Sequence, residues 1–144
     1  MSKEQPDHHD AAVVLQIYDL RREAVMRESR DAINREFWPK TADDAVAITK
    51  PEHPLNRQYR QTASYWEMVY GFARQGAVNA ELLMESNGEG LLLYARVEPH
   101  VAAIRTATSP RAFRNAEWVA NHTEIGRAQM ETFRARIAKT LAAR

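Results

Sequence analysis

Cysteine is absent from the 144-residue chain, which removes disulfide frameworks, Cys-ligated zinc, iron–sulfur clusters and thiol catalysis together. Glycine is scarce at five residues and proline at six, so strong breaks in regular structure are few. Long apolar runs are missing too. The longest, Ala11–Leu15 and Leu91–Ala95, span five residues each, against the roughly 20 that a membrane-spanning helix needs. The first ten residues, MSKEQPDHHD, hold no apolar signal core, so a cytoplasmic protein without a membrane segment is expected.

Chemistry-bearing patterns are lacking as well. Gly-x-Ser-x-Gly does not occur, and Asn87-Gly88-Glu89-Gly90 has neither the spacing nor the lysine of a phosphate-binding loop. The five histidines, His8, His9, His53, His100 and His122, form no His-x-x-x-His or Glu-x-x-His motif. Carboxylate pairs such as Asp43-Asp44 and Glu81/Glu85 fit a solvated helix face. We therefore expect no metal, no cofactor and no catalytic residue, and an enzyme is the less favoured reading.

What is present is helix-forming. Ala, Arg, Glu and Leu are abundant, and the chain is 44% hydrophobic and 27% charged, as in folded globular proteins. Asp10 to Phe37 carries Val13, Ile17, Leu20, Val25, Ile33 and Phe37 at helical spacing, with Asp7 or Asp10 as N-cap and Pro39 as terminator. Its stripe is interrupted around Arg27–Arg30, so one long helix with a solvated middle or two partners is expected. Thr41 and Asp44 have capping-box spacing ahead of a short helix.

Tyr59, Ala63, Trp66, Val69, Tyr70 and Ala73 mark the next helix, Gly76 stands where a left-handed C′ residue belongs, and Asn79 caps a new start. Gly88 and Gly90 either break the following helix or let a neighbour approach closely. Ser109-Pro110 reads as a further helix start, and Met130, Phe133, Ile137 and Leu141 form a heptad-like seam near the end. The expected architecture is an all-α bundle of about five or six helices, long at both ends. Residues 1–9 are taken as a flexible N-terminus and residues 10–144 as one domain.

The stretch Tyr65–Leu83, followed by Glu98-Pro99-His100 and Arg105, resembles uncharacterised bacterial helical domains. In those, an aromatic helix, a Gly-containing hairpin and an ELL-bearing helix lead to a segment ending near a proline and an arginine. The resemblance covers about 40 residues. It implies an all-α fold and no catalytic residue. Many of those domains carry an N-terminal membrane helix, which has no counterpart here.

Charge is uneven. Residues 1–99 hold 12 basic and 16 acidic side chains, whereas residues 100–144 hold 8 and 3. Arg105, Arg111 and Arg114 are the candidates for an anionic partner. Nucleic acid is a weaker expectation, because the pI near 8.1 falls short of about 9 for a dedicated binder. Trp66, Tyr94, His100 and Trp118 are candidates for an aromatic pocket, whose small-molecule ligand the residues do not identify. Phe37 and Trp38 are candidates for a subunit interface. The leading expectation is a non-enzymatic helical scaffold or interaction protein that forms homo-oligomers. A regulatory module that binds an acidic partner through the basic third comes second, and an aromatic-pocket binder or enzyme third.

Overall fold

The computed structural model describes residues 5–144, and every regular element among them is helical. Helices α1 (His8–Arg21), α2 (Ala24–Glu36) and the short α3 (Ala42–Ala47) precede α4 (Asn56–Arg74), α5 (Ala80–Ser86) and α6 (Glu89–Val97). A 3₁₀ turn at Glu98–His100 then leads to α7 (Val101–Ala107), α8 (Arg114–His122) and α9 (Glu124–Ala142). The helices are thus shorter and more numerous than the five or six expected. Of the terminus expected to be flexible over 1–9, residues 1–4 lie outside the described residues. His8 and His9 belong to the first turn of α1, beneath a capping box between Asp7 and Asp10.

The long first helix is a correction. The chain breaks at Arg22-Glu23, where Glu23 turns extended (ψ 143°) and caps α2 by accepting from the N–H groups of Val25 and Met26, each at 3.1 Å. Periodicity explains the break. Ile17 is buried on α1, and Met26 and Ile33 are buried on α2. Nine residues at about 100° each would put Ile17 and Met26 on opposite sides of one straight rod. Breaking the rod lets α1 face α5 while α2 faces α4.

Helix α6 is the centre, with every residue from Gly90 to Val97 buried. A helix apolar all round belongs in a core. Helix α9 packs along α6 and α8, and α2 and α8 both pack on α4. The seam residues of α9 serve this core: Met130 and Ile137 are buried, and Phe133 and Leu141 pack against it. At Gly90 the backbone of α6 meets the stacked rings of Trp66 and Tyr70, 5.7 Å apart. A Cβ there would lie 2.6 Å from the Trp66 ring and from the Tyr70 hydroxyl.

Gly76 ends α4 with φ 78°. Ala77 N–H donates to Phe72 O and Gly76 N–H to Ala73 O, the two bonds of a Schellman motif. Asn79 caps α5 by accepting from Leu82 N–H at 2.8 Å. Thr41 and Asp44 form the complete capping box of α3.

Beside Asp10, the charge buried among the described residues is Arg96, 2% exposed. It faces no carboxylate at hydrogen-bond distance. Its guanidinium donates instead to Ile33 O (2.9 Å), Phe37 O (2.7 Å), Asn34 Oδ1 (2.8 Å) and, on its own helix, Leu92 O (3.1 Å). Ile33 O and Phe37 O lie at the C-terminal end of α2, where Ile33 O also accepts from Phe37 N–H at 3.0 Å, and cations are favoured at a helix C-terminus. Trp38 lies against the same guanidinium, 4.8 Å from its ring centre. Burial lowers the arginine's affinity for its proton, and the ring of oxygens supports the charge.

Two substitutions test this core. Arg96→Leu takes the guanidinium from Phe37 O, Asn34 Oδ1 and the shared Ile33 O, so urea unfolding should show a loss of about 3 kcal/mol. Arg96→Lys should recover less than half of it, because one ammonium cannot reproduce the planar fork. A loss below about 1 kcal/mol for the leucine variant would mean that α2 does not depend on this cap. Gly90→Ala should cost about 1–2 kcal/mol although alanine favours helices by about 1 kcal/mol, since the Trp66 ring has to move. A stabilised variant would contradict that packing.

Candidate functional site

Helix α8 does not begin at Ser109-Pro110 as its sequence suggests. Residues 110–113 form turns, with Ser109 Oγ accepting from Arg111 N–H at 3.1 Å, and the helix starts at Arg114. The residue before it, Phe113, is left-handed (φ 58°), the single such non-glycine among the described residues. That conformation costs an L-residue about 1–2 kcal/mol. It is held by burial: the Phe113 ring sits 6.4 Å from Tyr59 and 6.2 Å from Tyr94.

A phenylalanine cannot cap a helix, and the missing acceptor comes from α4. Glu67 takes the N–H groups of Asn115 (3.0 Å) and Ala116 (2.8 Å), the second and third positions that a Ser or Asp cap would serve. Asn115 returns the contact through Nδ2 to Glu67 O at 3.0 Å. Burial raises the Glu67 carboxyl above the usual range, against the pull of the two N–H groups and of Arg105 and Arg74.

A cleft of about 330 Å³ lies beside this junction, with Arg74 from α4 and Arg111 and Arg114 from the α8 entry along its sides. Met68 and Phe72 also line it, 42% and 37% exposed. A second hollow of about 490 Å³ adjoins it and shares Glu67, Met68, Arg111 and Asn115.

The structure divides the three arginines singled out for an anionic partner. Arg111 and Arg114 share the cleft. Arg105 is engaged elsewhere, donating to Ala112 O (2.9 Å) and pairing with Glu117 (3.4 Å). The aromatic quartet is dispersed. Trp66 stacks on Tyr70 in the core, and Tyr94 faces Phe113, with burial pushing its phenol up to about 12. Half-buried Trp118 stacks on His122 at 4.9 Å, and half-buried His100 closes the 3₁₀ turn. None of the four lines the arginine cleft.

The structure places the two interface candidates at the end of α2. Phe37 is only 5% exposed and packs on Tyr59, while Trp38 donates its Nε1–H to Asn34 O and lies between the guanidiniums of Arg96 and Arg144. Both aromatics at the end of α2 cover Arg96, Phe37 from within the core and Trp38 from its half-buried edge. Arg74 and Met68 carry no motif that marks them in the sequence, although one signal was there. Met68 and Phe72 stand two residues after Trp66 and Tyr70, about 200° round the helix from the buried face.

Among the described residues no group of three or more His, Asp or Glu side chains is placed to hold a metal ion. No helix among them is long and apolar enough to cross a membrane.

Glu67 gives a pH signature. Its folded value is raised, so between the unfolded and folded values the native state holds more protons and stability falls with rising pH. The stability difference between the native chain and Glu67→Gln should therefore shrink as pH climbs through the weakly acidic range and level off above it. Urea titrations from pH 4 to 8 read this directly; a difference that grows with pH would mean that the two N–H groups outweigh burial.

No curated protein and no solved structure matches the chain. One family does, described as Domain of unknown function (DUF4760), and it matches residues 6–123. Four-fifths of the chain, from the α1 cap to the α8–α9 corner, falls in that match, and the chain belongs to this family.

Proposed function

We propose that the protein is a non-enzymatic helical interaction module that self-associates through the outer face of α1. One observation carries this reading: the large exposed hydrophobics concentrate at the N-terminal edge. Leu15 is 67% and Leu20 54% exposed, Tyr18 and Val25 are exposed beside them, and the remaining two of the set are the cleft residues Met68 and Phe72. Helix α1 is thus apolar on two sides, with Ile17 turned inward and Leu15 outward. A helix of that kind generally has two partners.

The outward residues have a spacing of their own. Ala11, Leu15, Tyr18 and Arg22 are exposed and follow each other by four, three and four positions, the step of a coiled-coil seam. Such a seam complements a second copy of itself. In an antiparallel two-fold pair Leu15 of each chain meets Tyr18 of the other, and the small Ala11 and Ala12 allow close approach. The heptad of α9 is unavailable for this role because it closes the monomer core.

Light scattering on a sizing column should give twice the chain mass, with dissociation on dilution. Leu15→Glu should yield a monomer whose thermal midpoint matches that of the diluted native chain, because the side chain is exposed in the monomer. A native chain that is monomeric at high concentration, or a Leu15→Glu variant that still dimerises, contradicts the reading. So does a monomer that instead binds neutral lipid vesicles through the same residue.

A further inference from the structure

The basic third of the chain carries most of its arginines in satisfied positions. Arg134 grips Glu98 through two hydrogen bonds of 2.9 and 2.8 Å, Arg127 donates to Asn121 O, and Arg105 is held by Ala112 O and Glu117. Arg144 donates to Arg35 O. Arg74, Arg111 and Arg114 are different. None makes a side-chain hydrogen bond or ion pair with a described residue, and all three line the same cleft between α4 and α8.

We infer that this cleft binds a small organic anion in which a phosphate or carboxylate adjoins an apolar group. Three guanidiniums on one cavity repel one another, and an anion shared among them relieves that repulsion. Their planar forks suit phosphate and carboxylate oxygens, two bonds at a time. The carboxylate in the wall answers them only in part: its charge attracts Arg74, while both Glu67 oxygens are engaged by Asn115 and Ala116 N–H groups.

The apolar part of the ligand is assigned by Met68 and Phe72. They are four apart on α4, exposed, and in the same lining as the arginines. The cleft volume is at the small end of ligand sites, which run from about 300 to 1,000 Å³. It suits one ring or a short acyl group rather than a folded partner. The wall is also fixed in advance. Phe113, between Arg111 and Arg114 in sequence, is locked in the core with its left-handed backbone, so the turn bearing both guanidiniums loses little freedom on binding.

Phenyl phosphate and inorganic phosphate are the probes, titrated calorimetrically at low ionic strength. Phenyl phosphate should bind with a Kd below about 1 mM, and inorganic phosphate about tenfold more weakly. Arg111→Gln with Arg114→Gln should weaken phenyl phosphate at least about tenfold while leaving the thermal midpoint unchanged, since both side chains are exposed. Phe72→Ala should abolish the preference for the phenyl compound and leave phosphate binding in place.

No heat with phenyl phosphate up to roughly 10 mM, or binding indifferent to the arginine pair, overturns the proposal. A single-stranded oligonucleotide that binds through the same arginines while phenyl phosphate does not would also overturn it, assigning the cleft to nucleic acid.

Discussion

Short helices end often, and each end leaves backbone N–H or C=O groups without partners inside the helix. In this fold several of those groups are met by side chains from other helices, alongside the local caps Asp7, Glu23, Thr41 and Asn79. Glu67 on α4 serves the start of α8. Glu81 on α5 serves the start of α9, accepting from Glu124 N–H at 2.6 Å and Ile125 N–H at 3.2 Å. Asp10, fully buried in α1, accepts from the N–H of Asn79, the cap of α5, at 2.9 Å. At C-terminal ends cations and amides do the same work. Arg96 closes α2, Arg30 reaches Arg21 O, Arg21 reaches Ser86 O, and Asn56 Nδ2 donates to Ile48 O beyond α3. A short helix held this way is stable only in the company of the helix that caps it, so the fold is cooperative at its corners as well as in its core.

The centre imposes a second condition on the same bonds. Helix α6 is buried all round, so a charge on it has to be answered inside the protein. Arg96 meets that condition by turning a buried cation into the cap of α2, and this fixes where α2 stops and why Phe37 and Trp38 fold over the site. Glu89, at the other end of α6, pairs with Arg30 through bonds of 2.7 and 2.6 Å. Arg30 also holds the last carbonyl of α1. The two ends of α6 thereby hold α2 at its middle and at its C-terminal end, and Arg30 ties the former to the last carbonyl of α1.

Local signals were legible wherever the physics is local. Pro39, Gly76, Asn79 and the Thr41–Asp44 pair act on their immediate neighbours, and each does in the structure what its position implied. The all-α class follows from the same composition and periodicity. The break at Glu23 was not legible, because glutamate is not among the preferred caps and no glycine or proline marks the place. Its reason is tertiary: two faces half a turn apart that need different partners. Phe113 was hidden for a similar reason. Ser109-Pro110 is a sound local start signal, but a cap supplied by Glu67 from 48 residues away moves the start to Arg114.

Of the candidate site, Arg111 and Arg114 were visible and their neighbours were not, because the cleft exists only once α8 has been drawn onto α4. The pattern of satisfied charges is what separates a structural arginine from an available one here. Arg96, Arg105 and Arg134 resemble Arg111 and Arg114 in sequence, yet each of the first three answers a carbonyl or carboxylate that the fold left open. Arg74, Arg111 and Arg114 answer none. Arginine is a long side chain with about 2 kcal/mol of rotamer entropy to lose, so three of them gathered on one cavity, with only Arg74 drawn to the Glu67 charge, gain little from that placement until an anion joins them. The same reasoning applies to α1, whose outer leucines are exposed and whose Tyr18 meets only the guanidiniums of Arg21 and Arg22 beside it. In both places the residues left over after folding is satisfied are the ones that point to function.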